Sequence, residues 1–255
     1  MELADTAAIV TGGASGLGAS TAAALAKQGA SVYAFDLKTA IDAARNVTAG
    51  SGIEYIDVDV TDTESVRSAV AGVAGGPHPL RVVVNCAGVA PSERVLSRRG
   101  VHNLETYAKV VEVNLVGTFN VMALAAEKMA ETSPDGPGQR GVIVNTASIA
   151  AYDGQVGQAA YASSKGGIVG LTLPAARDLA QYGIRVCTIA PGIVETPMLA
   201  TVSEEFRAGL AAGVPFPQRL ARPEEYAQLA LAIIDHDYLN GETIRMDGAL
   251  RMAPR

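Results

Sequence analysis

The residues best suited to chemistry are Tyr161 and Lys165, four positions apart, with Ser148 thirteen positions upstream. If residues 156–180 form a helix, Tyr161 and Lys165 lie on one face, a turn apart. A lysine ammonium held there should favour the phenolate and lower the tyrosine pKa from its ordinary value of about 10. A tyrosine tuned in this way can exchange a proton with an alcohol oxygen.

Ser148 follows an apolar run, 142–147, that is typical of a buried strand. Its hydroxyl could hydrogen-bond the same substrate oxygen as Tyr161. A Tyr-x-x-x-Lys pattern is common by chance, however, and most helical pairs of this kind are surface contacts. The acid–base hypothesis therefore depends on what the rest of the chain encodes.

A glycine-rich turn near the amino terminus predicts a phosphate site. The apolar segment 7–11 runs into Gly12, Ser15, Gly16, Leu17 and Gly18, and an Ala-rich helical segment follows. Glycines let the backbone turn tightly and approach a ligand, and the start of a helix offers unpaired N–H groups and a positive dipole end. We expect these residues to bind the pyrophosphate of a dinucleotide.

The second predicted strand, 31–35, ends at Asp36. A carboxylate there can accept hydrogen bonds from the adenosine ribose hydroxyls and would repel a 2′-phosphate, so the expected cofactor is NAD and not NADP. Lys38 is the nearby cation that could weaken this discrimination. The alternative for Asp36 is a solvated acid at the end of a strand.

Strand-like runs alternate with helical segments, which predicts an α/β fold. The strands are predicted at 7–11, 31–35, 53–58, 81–85, 141–147, 184–190 and 242–246, and the helices at 17–28, 62–74, 105–131, 156–180 and 223–235. Such units favour a single Rossmann-like domain, 1–255, with a doubly wound parallel sheet of about seven strands. Ligands bind such sheets beyond the carboxyl ends of the strands, where Gly12, Asp36, Asp59, Asn85 and Ser148 all fall.

Composition narrows the class of protein. The chain has 255 residues, a net charge of −6 and 49% hydrophobic residues, so neither nucleic acid nor a membrane is an expected partner. No apolar run approaches a membrane span and the first residues do not resemble a signal peptide, so a cytoplasmic location is expected. Cys86 and Cys187 are predicted to be buried free thiols. His78, His102 and His236 are predicted in loops or at the surface, and no metal site is expected.

These motifs, in this order and spacing, resemble the short-chain dehydrogenase/reductase family over nearly the whole chain. The residues that carry the resemblance are Thr11-Gly12-x-x-x-Gly16-x-Gly18, Asn85-Cys86-Ala87-Gly88, Asn114, Ser148, Tyr161-x-x-x-Lys165 and Pro191-Gly192. The longer strings 138–148, 154–161, 214–217 and 239–242 resemble the family's type-2 3-hydroxyacyl-CoA dehydrogenases, also called 17β-hydroxysteroid dehydrogenases of type 10. Cys86 replaces an asparagine that is usual in the wider family, and the type-2 group shares this departure.

The resemblance implies further cofactor contacts. Asp59 and Val60 would hold the adenine, Cys86 would border the ribose, and Val194 would lie near the nicotinamide; for Val60, Cys86 and Val194, simple core packing is the alternative. Asn114 stands within a predicted helix, where an amide is unfavourable. In the family this asparagine distorts the helix and holds a water that extends a proton path, and the alternative is a local side-chain–backbone hydrogen bond.

The resemblance implies hydride transfer between NAD and the C3 carbon of a (3S)-3-hydroxyacyl-CoA or 3-oxoacyl-CoA. Tyr161 would be the acid or base, Ser148 would orient the substrate oxygen, Lys165 would bind the ribose and lower the pKa of Tyr161, and Asn114 would pass the proton outward. One alternative is an NAD-dependent dehydrogenase of hydroxysteroids or other secondary alcohols. Another is a non-catalytic NAD-binding scaffold.

Two segments bear on substrate and assembly. Segment 195–222 contains Met198, Leu199, Phe206, Leu210, Val214 and Phe216, and is expected to form an apolar lid. Segment 92–100 is a long loop whose Arg98 and Arg99 could bind the phosphates of CoA, although an ordinary solvated loop is the simpler interpretation. Apolar faces on helices 105–131 and 156–180 predict an oligomer, and the resemblance implies a homotetramer.

Overall fold

A seven-stranded parallel sheet forms the centre of the molecule. The computed structural model describes residues 1–48, 52–136, 138–199 and 203–254. Its strands are β1 (Ala7–Thr11), β2 (Ser31–Asp36), β3 (Ile53–Asp57), β4 (Leu80–Asn85), β5 (Leu96–Ser97), β6 (Gly100–Val101), β7 (Gly141–Thr146), β8 (Ile184–Pro191) and β9 (Thr243–Met246). The order in the sheet is β3-β2-β1-β4-β7-β8-β9, with β5 and β6 apart as an antiparallel hairpin.

Helices cover both faces of this sheet. They are α1 (Gly16–Lys27), α2 (Lys38–Thr48), α3 (Thr63–Ala74), α4 (Leu104–Val111), α5 (Gly117–Ala130), α6 (Ala150–Asp153), α7 (Ala159–Ala180), α8 (Glu204–Ala212) and α9 (Pro223–Asp235). A π-helical turn, Glu112–Val116, joins α4 to α5, and a 3₁₀ turn spans Pro197–Leu199. Every residue of β1, β4, β7 and β8 is buried, as expected for parallel strands between two layers of helices.

The core is divided in two by the sheet. Alternate residues of a strand point to opposite faces, so Ile143 packs with Val121 and Met129 of α5, while Val144 packs with Leu25 of α1 and Ile233 of α9. The strands therefore end between two rigid layers. This arrangement fixes the carboxyl edge of the sheet, where the predicted site residues lie.

The predicted α/β architecture is confirmed, and each predicted strand is found within one or two residues of its expected ends. Several elements were not predicted: α2, the β5–β6 hairpin, α6 and α8. The predicted helix 156–180 begins only at Ala159. Gly157 has φ 91°, a left-handed conformation that cannot belong to a right-handed helix, and it separates α6 from α7.

The base of the predicted lid is held together by backbone pairing. Val194 bridges Ala221, the amide of Glu195 donates to the Ala221 carbonyl at 2.8 Å, and the Ala221 amide donates to the Ile193 carbonyl at 3.0 Å. The lid between these points contains α8, and residues 200–202 and the side chain of Met198 lie outside the described part. Phe206 and Phe216 are exposed, so much of the lid's apolar surface faces outward.

The hairpin replaces the loop predicted at 92–100. Leu96 pairs with Val101, and both side chains are exposed. At its base His102 lies in a loop, as predicted, but is buried, with Nδ1 2.7 Å from the Asn103 carbonyl oxygen and 3.6 Å from Glu93. The amide of Glu93 donates to the Gly157 carbonyl at 2.9 Å. These contacts join the hairpin to the segment before α7.

One helical stretch, Leu104–Ala130, is apolar and long enough to cross a membrane by length and composition alone. This differs from the sequence prediction that no run approaches such a length. Val110, Val121 and Met129 of this stretch are buried within the protein core, and the core helices of globular domains pass the same test. Within the described ranges of the chain, no group of three or more His, Cys, Asp and Glu residues could hold a metal ion.

Candidate active site

The turn between β1 and α1 has the geometry of a phosphate cradle. Gly12 and Gly16 have φ 64° and 52°, which favour glycine. A Cβ at Gly12 would lie 2.9 Å from the amide nitrogen of Ala87, and one at Gly18 would overlap the carbonyl oxygen of Gly12. Ser15 occupies the position before α1 but does not cap it with its side chain. The N–H groups of the first turn are therefore left for an anion.

Asp36 ties the second strand to this turn. Its carboxylate accepts hydrogen bonds from the amides of Ala14 at 3.0 Å and Leu37 at 2.9 Å. Lys38 directs its ammonium to Asp42 at 3.1 Å, away from the carboxylate of Asp36. The Asp36 carboxylate, which is expected to select the cofactor, therefore lies beside the phosphate turn, and the ammonium of Lys38 is paired with Asp42.

The residues expected near the adenine lie just beyond β3. Asp59 is exposed, and its carboxylate accepts from the amide of Thr61 at 2.9 Å and its hydroxyl at 2.7 Å. These hydrogen bonds lower the pKa of Asp59 from its ordinary value and keep it ionised. Val60 is buried, a Cβ on Gly117 would meet its side chain, and its carbonyl accepts from Asn120 at 3.1 Å. Val60 therefore has a packing role whatever it contacts in a complex.

The other expected cofactor contacts are also partly packing residues. Leu17 is half-buried against the core on the α1–α9 side of the sheet. Cys86 and Cys187 are free thiols, Cys187 buried and Cys86 half-buried, and the Cys86 amide donates to the Thr11 hydroxyl at 3.1 Å. Val194 is buried at the base of the lid. These positions allow Cys86 and Val194 either to contact the cofactor or simply to pack in the core.

Ser148 and Tyr161 are brought together by β7 and α7. Ser148 follows the end of β7 by two residues and is buried, and its hydroxyl accepts from the Ala150 amide at 3.1 Å. Ser148 is also close enough to the hydroxyl of the half-buried Tyr161 to lower the pKa of that hydroxyl. Two hydroxyls therefore converge on one point, where each could contact the same substrate oxygen.

Lys165 does not act on Tyr161 as the sequence suggested. Its buried ammonium donates to the carbonyl oxygen of Thr146 at 2.7 Å and lies 5.8 Å from the centre of the Tyr161 ring. Burial lowers the pKa of Lys165 to about 8, and the nearby Cys86 thiol opposes this effect. Burial raises the pKa of Tyr161, and Ser148 offsets the rise only in part. The predicted lowering is therefore wrong for this arrangement, because burial of the Tyr161 hydroxyl outweighs the effect of Ser148, and the neutral phenol is favoured.

Asn114 lies at the centre of the π-helical turn, so the expected helix distortion is present. Its amide oxygen accepts from the Val89 amide at 2.8 Å, and its amide nitrogen donates to the Val89 carbonyl at 2.9 Å and to the Ser164 hydroxyl at 3.0 Å. Asn114 thus fixes the chain after β4 against α7, beside Lys165. The alternative for Asn114 was a local hydrogen bond between its side chain and the backbone. The side chain does bond to backbone, but to that of Val89, in a distant segment of the chain.

A cavity of about 460 Å³ lies between the hairpin and the segment joining α6 to α7. It is lined by Arg94, Val95, Leu96, residues 154–159 and Ala162, the residue that follows Tyr161 in the chain. Arg98 and Arg99 are exposed and do not line it; they lie at the turn of the hairpin. Arg94, which does line the cavity, was not predicted to do so; its signal in the sequence is that it is a third arginine in the same segment.

Comparison with known proteins agrees with this geometry. The family model for short chain dehydrogenases matches residues 6–206, and the chain belongs to that family. The 3-hydroxyacyl-CoA dehydrogenase type-2 of Homo sapiens is 51% identical over 249 residues, which cover 97% of this chain and 95% of that protein. The protein of the same name from Drosophila melanogaster is 51% identical over 248 residues, covering 96% and 97%.

A solved structure is similar throughout. The crystal structure of 3-hydroxyacyl-CoA dehydrogenase type-2 from Mycobacterium avium has a TM-score of 0.93 and 41% sequence identity, and covers 98% of both chains. The chain is therefore an oxidoreductase of the short-chain dehydrogenase family that uses a nicotinamide nucleotide and a small-molecule substrate. The uncapped start of α1, the glycines without room for side chains and the carboxylate of Asp36 fit such a nucleotide.

Proposed function

We propose that this protein interconverts (3S)-3-hydroxyacyl-CoA and 3-oxoacyl-CoA with NAD as the cofactor, as part of fatty acid metabolism. The observation that carries the proposal is the placement of Ser148, just after β7, with Tyr161 and Lys165 of α7 at the carboxyl edge of the sheet, where ligands of such folds bind. The relatives' names supply the thioester. The (3S) configuration rests on the resemblance to the type-2 group alone.

Each site residue has a separate role in the proposed reaction. When bound, NAD would supply the hydride chemistry at the substrate's C3 carbon. Ser148 orients the substrate oxygen. Tyr161 donates a proton to that oxygen in reduction and removes it in oxidation. The raised pKa of Tyr161 keeps the proton available for ketone reduction at neutral pH.

Lys165 and Asn114 support the proton-transferring pair. Lys165 has its ammonium held by Thr146, and its remaining N–H groups are proposed to bind the ribose hydroxyls. Asn114 holds the chain after β4 beside Lys165, and its backbone carbonyl, which also accepts from Thr118 at 2.7 Å, is proposed to hold the water that carries the proton outward. The cofactor end is assigned to Gly12, Ser15, Gly16, Leu17, Gly18, Asp36, Asp59, Val60, Cys86 and Val194.

A kinetic panel tests the substrate class. Acetoacetyl-CoA, longer 3-oxoacyl-CoAs and a 17-ketosteroid are each assayed with NADH and NADPH. The proposal expects the highest kcat/KM with a 3-oxoacyl-CoA and NADH. A higher value for the steroid would assign the protein to hydroxysteroids instead, and the absence of turnover despite NADH binding would favour a scaffold.

We further propose that the hairpin arginines bind the phosphates of CoA. Arg94 faces the cavity, and Arg98 and Arg99 extend the positive charge along the hairpin. Arg98→Ala/Arg99→Ala should raise KM for acetoacetyl-CoA several-fold, most strongly at low salt, because exposed charges are screened by salt. Arg94→Ala should do the same, since this arginine lines the cavity beside the hairpin. The measurement is steady-state kinetics at two ionic strengths.

Two controls separate a CoA site from a general effect of charge. A short keto ester without CoA should keep its KM in all these variants. Arg67→Ala removes an exposed arginine on α3, paired with Glu64 at 3.4 Å, and should leave the KM of both substrates unchanged. Equal effects of the hairpin variants on the keto ester and acetoacetyl-CoA would contradict a phosphate site.

The proposed assembly is a homotetramer. Val116 and Phe119, at the start of α5, and Leu173 of α7 are 45%, 49% and 45% exposed, which leaves an apolar surface for a second copy. A Cβ at Gly166 or Gly170 would meet nothing within 4 Å, so another helix could approach α7 closely. A cytoplasmic location is also proposed, because the two cysteines are free.

Light scattering at micromolar protein should give a tetramer mass, and Phe119→Glu should reduce it, because a charge would be buried at the interface. Tyr238→Glu, at a 95% exposed position after α9, is the matched control and should leave the mass unchanged. A monomer mass for the wild type would refute the proposed assembly.

A further inference from the structure

A chain of hydrogen bonds lies beneath the expected catalytic residues. The hydroxyl of Tyr226, a fully buried residue of α9, is 2.6 Å from the hydroxyl of Thr146. The Thr146 hydroxyl is also 2.6 Å from the carbonyl oxygen of Asn85. A carbonyl only accepts, so Thr146 gives its proton to Asn85, and Tyr226 must then donate to Thr146. The Cys86 thiol donates weakly to the Tyr226 oxygen at 3.7 Å.

Thr146 links this chain to the active site. It is the last residue of β7, two positions before Ser148, and its backbone carbonyl accepts from the ammonium of Lys165 at 2.7 Å. Since an ammonium must be hydrogen-bonded when it is buried, the position of the Thr146 peptide determines where the Lys165 nitrogen lies. A side chain that holds Thr146 therefore also acts on Lys165.

The link joins elements from opposite faces of the sheet. Tyr226 belongs to the core cluster of α1 and α9, together with Val142 and Val144 of β7. Thr146 lies two residues after Val144, so its side chain points to that same face. Lys165 comes from α7, whose Ala175 and Ala176 pack in the cluster on the other face. Thr146, at the strand end, contacts Tyr226 through its hydroxyl and Lys165 through its carbonyl.

We propose that Tyr226 is a positioning residue for hydride transfer, which acts through the Thr146 hydroxyl to hold the Thr146 carbonyl where it fixes the ammonium of Lys165. The proposal rests on the dehydrogenase activity proposed above. Among the described residues, the titratable groups facing Lys165 are Tyr161 on its own helix and Cys86 at the end of β4. Tyr226 lies behind Cys86, on α9.

Tyr226→Phe removes the donor and keeps the ring. We expect kcat for acetoacetyl-CoA to fall about five-fold while KM for NADH changes less than about two-fold, as for the loss of one buried hydrogen bond. A Thr146 carbonyl that is held less firmly binds the ammonium of Lys165 less well, so Lys165 should lose its proton at lower pH. The alkaline limb of the pH profile of kcat/KM for NADH should therefore move to lower pH. A fall of equal proportion at every pH would show a merely structural role and overturn the proposal.

Tyr55→Phe is the matched control. Its hydroxyl is buried on β3 with no hydrogen-bond partner in the part of the chain that the structure describes. Removing it should move neither kcat nor the alkaline limb. A shift of the limb in this variant like that of Tyr226→Phe would mean that any loss of a tyrosine hydroxyl has this effect.

Thr146→Val tests the route. It removes the intermediate hydroxyl and should reproduce the shifted limb, and the double variant should be no slower than the slower single variant, because both changes break one chain. A double variant whose loss of kcat is the product of the two single losses would overturn the proposal. If Tyr226→Phe does not fold, Thr146→Val decides alone: an alkaline limb that stays at its wild-type pH would overturn the proposal. Failure of the proposed function would appear differently, as a wild type that binds NADH but does not reduce acetoacetyl-CoA. In that case the alkaline limb would be measured with whichever ketone the wild type does reduce.

Discussion

Replacing Tyr161 with phenylalanine should reduce kcat by about 100-fold or more while NAD binding stays near that of the wild type. The variant keeps the ring that packs over Lys165 and loses only the hydroxyl that meets Ser148. Ser148 cannot carry the proton instead, because a serine hydroxyl is a much weaker acid. The measurements are steady-state kinetics with acetoacetyl-CoA and NADH binding by fluorescence.

Tyr107→Phe is the control for a structural effect. Tyr107 contacts α7 through a 3.1 Å hydrogen bond to Ser163, two residues from Tyr161, but lies outside the proposed proton path. It should retain most of the activity. If Tyr161→Phe kept more than about a tenth of wild-type kcat, Tyr161 would not be the acid–base residue.

The second large effect is on cofactor choice. The wild type should have a kcat/KM for NADH at least ~10-fold above that for NADPH, because placing a 2′-phosphate beside the Asp36 carboxylate costs about 1.4 kcal/mol or more. Asp36→Ala should narrow this ratio. Both values are obtained from initial rates with each cofactor at saturating acetoacetyl-CoA.

Asp57→Ala provides the comparison. Asp57 ends β3 in register with Asp36, and its carboxylate accepts from the Lys38 amide at 2.9 Å without reaching the phosphate turn. Its removal should change the ratio less than the removal of Asp36 does. Equal use of NADH and NADPH by the wild type would remove the assignment of NAD.

The central strands β1, β4, β7 and β8 were predictable because each buries a nearly continuous apolar run. Helix α2 carried a readable signal, since Ala40, Ile41 and Ala44 follow helical spacing and pack together against Tyr55. The β5–β6 hairpin carried no such signal. Its strands are two residues long and their side chains are exposed, so the sequence shows no alternation of buried and exposed residues there. The π-helical turn depends on where Asn114 finds its partners, and these lie in distant segments.

The proximity of Ser148, Tyr161 and Lys165 was also predictable, because their spacing places them at one edge of the sheet. Their electrostatics was not. The direction of the pKa shift of Tyr161 depends on burial, and the partner of Lys165 is a backbone carbonyl that every residue possesses. Tyr226 lies in a helix about 60 residues from Lys165, and no local pattern connects them.

The most direct test of the proposed function is the stoichiometry of the wild-type reaction with acetoacetyl-CoA and NADH. The protein should consume one NADH for each 3-hydroxybutyryl-CoA formed, and the product should be the (3S) isomer. Substantial binding of NADH with no product, or formation of the (3R) isomer, would contradict the proposed activity.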